Sequence, residues 1–236
     1  MMLLDGPLLH AIAAEAGARI YEFCASRGLS SMAWAYAKVL FLDKPLFEAI
    51  SSPALNRIDQ FGSQSLANIA WACAAMCYEN IPLFDAISSR ALSTIDDFTQ
   101  QNISNTAWAF AKISRQDFPL LNALARSAKH TIFEFSPQGL ANTAWAFAVL
   151  GVPDQPLLSA ISSAAQPRMR ALTVHNLVNI AWSFAKVGFA DVPFLQSMAA
   201  SADARLHEFS PQSLANTAWS FATMKFSDVP LLDALS

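Results

Sequence analysis

The sequence predicts an all-α solenoid: six copies of a 37-residue helix–turn–helix repeat plus the first half of a seventh, one array over residues 1–236. Three observations carry this. The six tryptophans, Trp34, Trp71, Trp108, Trp145, Trp182 and Trp219, stand 37 residues apart throughout. Pro45, Pro82, Pro119, Pro156, Pro193 and Pro230 keep the same interval in phase with them, and Pro7 falls 38 before Pro45 because the first copy carries one extra residue. Hydrophobic residues make up 54% of the chain and charged residues 14%, a balance that requires extensive burial of side chains.

The copies start near Pro7, Pro45, Pro82, Pro119, Pro156 and Pro193, with the half repeat from Pro230. Each opens with a helix A. Two residues before the proline stands Asp5, Asp43, Asp117, Asp154, Asp191 or Asp228, with Asn80 in the third copy. Such side chains accept hydrogen bonds from the free N–H groups of a first turn, where proline forfeits no helical bond. In the second copy Leu46, Ile50, Ala54, Ile58 and Phe61 follow at helical spacing as one apolar stripe. Its alanine recurs as Ala16, Ala91, Ala128, Ala165 and Ala202, a size limit that implies close packing. Pro53 and Pro167 fall inside helix A and predict a kink or early end in those two copies.

Helix B begins at Ser136-Pro137-Gln138 or Ser210-Pro211-Gln212, a cap residue followed by a first-turn proline, and ends near Gly151 or Gly188. Its leucine, alanine and aromatic positions cover most of the helical circumference, so it needs neighbours on two sides, as in a stack of helix pairs. A narrower polar arc remains.

Other function classes find little support. The uncharged stretch 135–153 contains Ser136, Pro137, Gln138, Asn142 and Thr143, too polar for a bilayer. A formal charge of −3 supplies no general attraction to nucleic acid or anionic lipid. Cys24, Cys73 and Cys77 do not suggest a disulfide framework, which favours a reducing compartment. The N-terminal residues have neither the basic-then-apolar layout of a secretory signal nor the bias of a transit peptide. Cys73 and Cys77 lie one turn apart, as two metal ligands would. Cys73, however, occupies a place held by Phe or Tyr in other copies and reads as core. His10, His130, His175 and His207 are scattered, and neither a phosphate loop nor a catalytic constellation is present. No cofactor, metal or enzymatic activity is expected.

The strings SPQGLANTAWAFAVLG and SPQSLANTAWSFATM resemble helical repeats of the octotricopeptide and heptatricopeptide type, and the resemblance spans the chain. Such repeats occur in organellar proteins of algae and alveolates, often upstream of a RAP domain, which this sequence lacks. The resemblance implies an RNA-binding adaptor in a chloroplast or mitochondrion, acting in RNA processing, stability, translation or ribosome assembly. Its partner would be single-stranded organellar RNA or ribosomal RNA. A protein–protein scaffold using the same surface is the alternative, favoured by the net charge. Neither membrane nor DNA is an expected partner. Leu231, Leu232 and Leu235 belong to a helix A with no following helix B in the sequence, so the C-terminal end is expected to offer an apolar face to other proteins.

The polar arc of helix B holds the candidate site. Three residues before tryptophan stand Asn68, Asn105, Asn142, Asn179 and Asn216, with Ser31 in the first copy. Seven before stand Gln64, Gln101, Gln138 and Gln212, with Arg27 and His175 as exceptions; four after, Lys38, Lys112 and Lys186 occupy alternate copies. Stacking turns these positions into rows. Amides would meet base edges or ribose hydroxyls while lysines hold phosphates. Alternatively, each asparagine bonds its neighbour's backbone and stabilises the stack. Six before tryptophan the residue varies among Gly28, Ser65, Asn102, Gly139, Asn176 and Ser213, and Asn102 and Asn176 are candidates for reading individual bases. The tryptophans themselves are expected to be core wedges between repeats rather than stacking platforms.

Overall fold

The computed structural model describes residues 5–23 and 26–226. Among them lie twelve α-helices and six short 3-10 turns, with no strand. The A helices are α1 (Gly6–Ala18), α3 (Lys44–Asn56), α5 (Ile81–Ser93), α7 (Phe118–Thr131), α9 (Gln155–Ala165) and α11 (Val192–Asp203). The B helices are α2 (Ser26–Lys38), α4 (Ser63–Ala75), α6 (Gln100–Lys112), α8 (Pro137–Val149), α10 (Val174–Lys186) and α12 (Pro211–Thr223). The half repeat expected from Pro230, with Leu231, Leu232 and Leu235, lies outside the described residues. No described helix is long and apolar enough to cross a membrane.

Every described A helix starts the same way. The side-chain oxygen of Asp5, Asp43, Asn80, Asp117, Asp154 or Asp191 accepts the N–H three residues on, at 2.8–3.1 Å. Each such cap is worth about 1 kcal/mol to its helix. The A helices stop sooner than the apolar stripe implies. α3 ends at Asn56, and Ile58 sits in a 3-10 turn, Ile58–Gln60. Side chains three apart eclipse in such a turn, so the stripe continues to the buried Phe61 after the α-helix has ended.

The two internal prolines behave differently. Pro167 lies in the 3-10 turn Gln166–Arg168, and α9 ends early at 11 residues. Pro53 does not shorten its helix: α3 has 13 residues, as does α5. The loss of one amide bond near the helix end is tolerated because the Pro53 ring is itself buried.

Helix B ends in a Schellman motif in all six copies. The residue six after tryptophan takes a left-handed conformation: Leu40, Cys77, Ser114, Gly151, Gly188 and Lys225, with φ of 54, 51, 56, 67, 70 and 53°. The next N–H reaches back to the helix, as from Tyr78 to the Cys73 carbonyl at 2.8 Å and from Phe189 to that of Phe184 at 2.8 Å. The chain then turns sharply into the next helix A.

Consecutive B helices pack far more extensively on one another than consecutive A helices do. Alanines at their contacts allow this: Ala70, Ala74, Ala107, Ala111, Ala144 and Ala181 are all buried. A closely spaced row beside a more widely spaced one bends the array, with the B row on the inner, concave side. The small A-helix position is buried in every copy, from Ala16 to Ala202.

Candidate nucleic-acid interface on the inner helix row

On each B helix one exposed stripe runs along the inner face. In α6 it comprises Gln101, Asn105, Trp108 and Lys112, the second, sixth, ninth and thirteenth residues of that helix. At about 1.5 Å per residue the stripe is about 16 Å long, and stacking repeats it side by side. Lys38, Lys112 and Lys186 are exposed, as are Gln64, Gln101, Gln138 and Gln212. Asn68, Asn105, Asn142, Asn179 and Asn216 are half-buried along the centre of the face. Each predicted row therefore keeps the same helix position and similar exposure on successive B helices.

Across the first four copies these rows enclose a groove of about 360 Å³. Trp34, Lys38 and Trp71 line one part, and Gln101, Asn105, Gln138 and Asn142 line another. Glu134, Gln100, Ser104 and Ser136 also line it and were not foreseen. Gln100 donates to the Glu134 carboxylate across neighbouring copies. Glu134 belongs to the 3-10 turn Ile132–Glu134, a segment that the periodicity assigned to a continuous helix A. A break before each helix-B cap was the available signal.

Charge is distributed unevenly along the stripe. The lysines sit at the C-terminal end of their helices, and none of Lys38, Lys112 and Lys186 forms an ion pair among the described residues. Lys38 Nζ lies 5.7 Å from the Trp34 ring centroid, within cation–π range. At the opposite edge stands Glu134. An anion is favoured on the lysine side.

Three expectations need correction. The tryptophans are not fully buried wedges: Trp71, Trp108 and Trp145 pack against the core but stay partly exposed. Trp34 and Trp219 are 42% and 44% exposed, and the other four are partly exposed. The core position is two residues later, where Tyr36, Cys73, Phe110, Phe147, Phe184 and Phe221 are all buried. Two residues on an α-helix point about 200° apart, and the apolar arc was wide enough to include both.

Asn102 and Asn176 are not available as reading residues. Both are buried at the third position of their helices. Asn102 Oδ1 accepts from the Thr99 N–H at 3.1 Å and from Thr99 Oγ1 at 2.9 Å, closing a capping box. The Asn176 N–H donates to Thr173 Oγ1 at 3.2 Å. The residue is polar there because helices begin there.

Nor do the row asparagines form a backbone ladder. Among the described residues their one side-chain bond is local, between Asn179 Nδ2 and His175 Nε2 at 3.0 Å. Asn105 and Asn142 line the groove, and neither their amides nor those of Asn68 and Asn216 bond protein among the described residues. Repeats are instead tied by arginines on the A side: Arg168 Nη1 donates to the Phe135 carbonyl at 2.7 Å and Arg205 Nη1 to that of Leu172 at 2.9 Å. Cys73 is core, as its place in the repeat implied, and burial pushes its thiol up to about 12.

A family model described as the Tbc2 translation factor, N-terminal domain, matches residues 58–232. A second model, described as a protein of unknown function, matches residues 31–69. No curated protein matches the chain.

Proposed function

The chain belongs to the family of the Tbc2 translation factor N-terminal domain, and from that premise we propose that it is an RNA-binding repeat adaptor of organellar RNA metabolism, acting at translation. Its repeats are of the octotricopeptide type, and its compartment is a chloroplast or mitochondrion. It works by binding, without catalysing a reaction. Single-stranded RNA lies along the concave B row, crossing the helices, with phosphates on the lysine edge and bases over the tryptophans and amides.

One observation supports this reading above the others: Lys38, the partly exposed rings of Trp34 and Trp71, and the amides of Gln101, Asn105, Gln138 and Asn142 line one groove, and equivalent groups recur on the later B helices. These are the groups that hold phosphates, base edges and base faces. The net charge of −3 favours a second reading, a protein scaffold on the same groove. Fluorescence anisotropy with a labelled single-stranded RNA, against a duplex DNA of equal length, separates the two. Tight binding of RNA with weak binding of duplex supports the adaptor. Binding to neither leaves the scaffold.

A further inference from the structure

Five of the six tryptophans form two separate stacks, and Trp34 belongs to neither. Ring centroids lie 6.1 Å apart for Trp71 and Trp108, 6.3 Å for Trp108 and Trp145, and 6.4 Å for Trp182 and Trp219. Each pair is tilted by 32°. Stacked bases rise roughly 3.4 Å per step, so each tryptophan step is close to two stacking distances. The recurrent tilt follows from one side chain leaning from one helical position on successive helices.

Packing alone does not call for tryptophan at this place. The buried position two residues on tolerates Tyr36, Cys73 and Phe110, whereas the half-open position holds tryptophan in all six copies. A large ring kept where water reaches it has a face to offer. Its flanks suit a nucleic acid strand: a lysine toward the C-terminal end of every second B helix, and an asparagine amide toward the N-terminal end of five of the six.

Building on the RNA reading above, we propose that nucleobases intercalate between successive tryptophans, one in each of the slots Trp71/Trp108, Trp108/Trp145 and Trp182/Trp219. Bringing two rings parallel around a base requires about 6.8 Å, an opening of roughly half an ångström per slot together with loss of the tilt. The slots accept any base, because every base has an aromatic face. Selectivity is left to the amides beside them, such as Asn105 and Asn142. The two stacks are interrupted between Trp145 and Trp182, at the repeat whose helix A ends early at Pro167. A bound strand is therefore gripped in two blocks.

The test compares an oligoadenosine with an oligomer of the same length carrying abasic sites, which keeps the phosphates and removes the bases. Titrated into the full chain, the intact oligomer should quench tryptophan fluorescence and bind more tightly than the abasic one. Trp108→Ala should weaken binding of the intact oligomer by roughly 5- to 100-fold, the range for loss of one stacking partner. Trp108→Phe, which keeps a ring and the fold, should retain most of the affinity. If intact and abasic oligomers bind equally, with salt-sensitive affinity, intercalation is wrong and the RNA reading survives. If neither binds at low salt, both fall. Should Trp108→Ala fail to fold, the abasic comparison and Trp108→Phe still decide.

Discussion

Trp145 and Phe147 lie two residues apart on α8 and point about 200° apart: the Phe147 ring is 1% exposed in the core, while Trp145 is partly exposed. Their substitutions should therefore separate. Phe147→Ala removes a fully buried ring and should cost about 3–5 kcal/mol. Trp145→Ala should cost less, because part of its surface is already in water. Unfolding midpoints of the two variants measured side by side check this; equal losses would return tryptophan to the core.

Four of the six helix-B caps hold a side chain in a left-handed conformation that glycine adopts freely. Leu40, with φ 54° and 78% exposure, has little packing to lose. Leu40→Gly should raise stability by about 0.5–1 kcal/mol, the relief of a left-handed Cβ clash less the entropy of glycine. Gly151→Ala, at φ 67°, should lower it by about 1–2 kcal/mol. Thermal melting of both variants reads the two signs.

The arginine clasps should matter to the cohesion of the stack. Removing Arg168 leaves the Phe135 carbonyl without its 2.7 Å donor. Arg168→Ala should cost about 1.5–3 kcal/mol, the range for hydrogen bonds to a charged group. Hydrogen exchange should show faster opening at the junction of α7 and α9 than elsewhere; uniform protection would deny the clasp its role.

The cysteines offer a pH test. Burial raises the Cys73 thiol to about 12, whereas Cys77 is exposed. In the folded chain at pH 8, an alkylating reagent should label Cys77 within minutes and Cys73 only on unfolding, as mass spectrometry can locate. The unfolded chain releases the Cys73 proton near its ordinary value of about 9, so stability should fall as pH rises above that value toward 12.

The repeat, its two helices and the inner polar rows were legible in the sequence, because a 37-residue period repeats each capping and packing solution six times. Asp43 and Ser136 declared their helix starts through local chemistry alone. What was not legible depended on direction. A helix apolar over most of its circumference does not reveal which of Trp145 and Phe147 faces the second layer. Ile58 continued the helical spacing through a 3-10 turn, which hid the break and, in the fourth copy, the turn that places Glu134 in the groove. Asn102 looked like a ligand-facing amide because caps and binding sites use the same residue types.

The most direct test of the central claim is the salt dependence of single-stranded RNA binding, with and without the lysine row. Three lysines releasing counterions from a single strand predict a slope of log affinity against log salt of about −2. Replacing Lys38, Lys112 and Lys186 together with alanine should flatten that slope and weaken binding to all sequences alike. An unchanged affinity in the triple variant would place any RNA site elsewhere, and no binding to any single-stranded RNA at low salt would contradict the account outright.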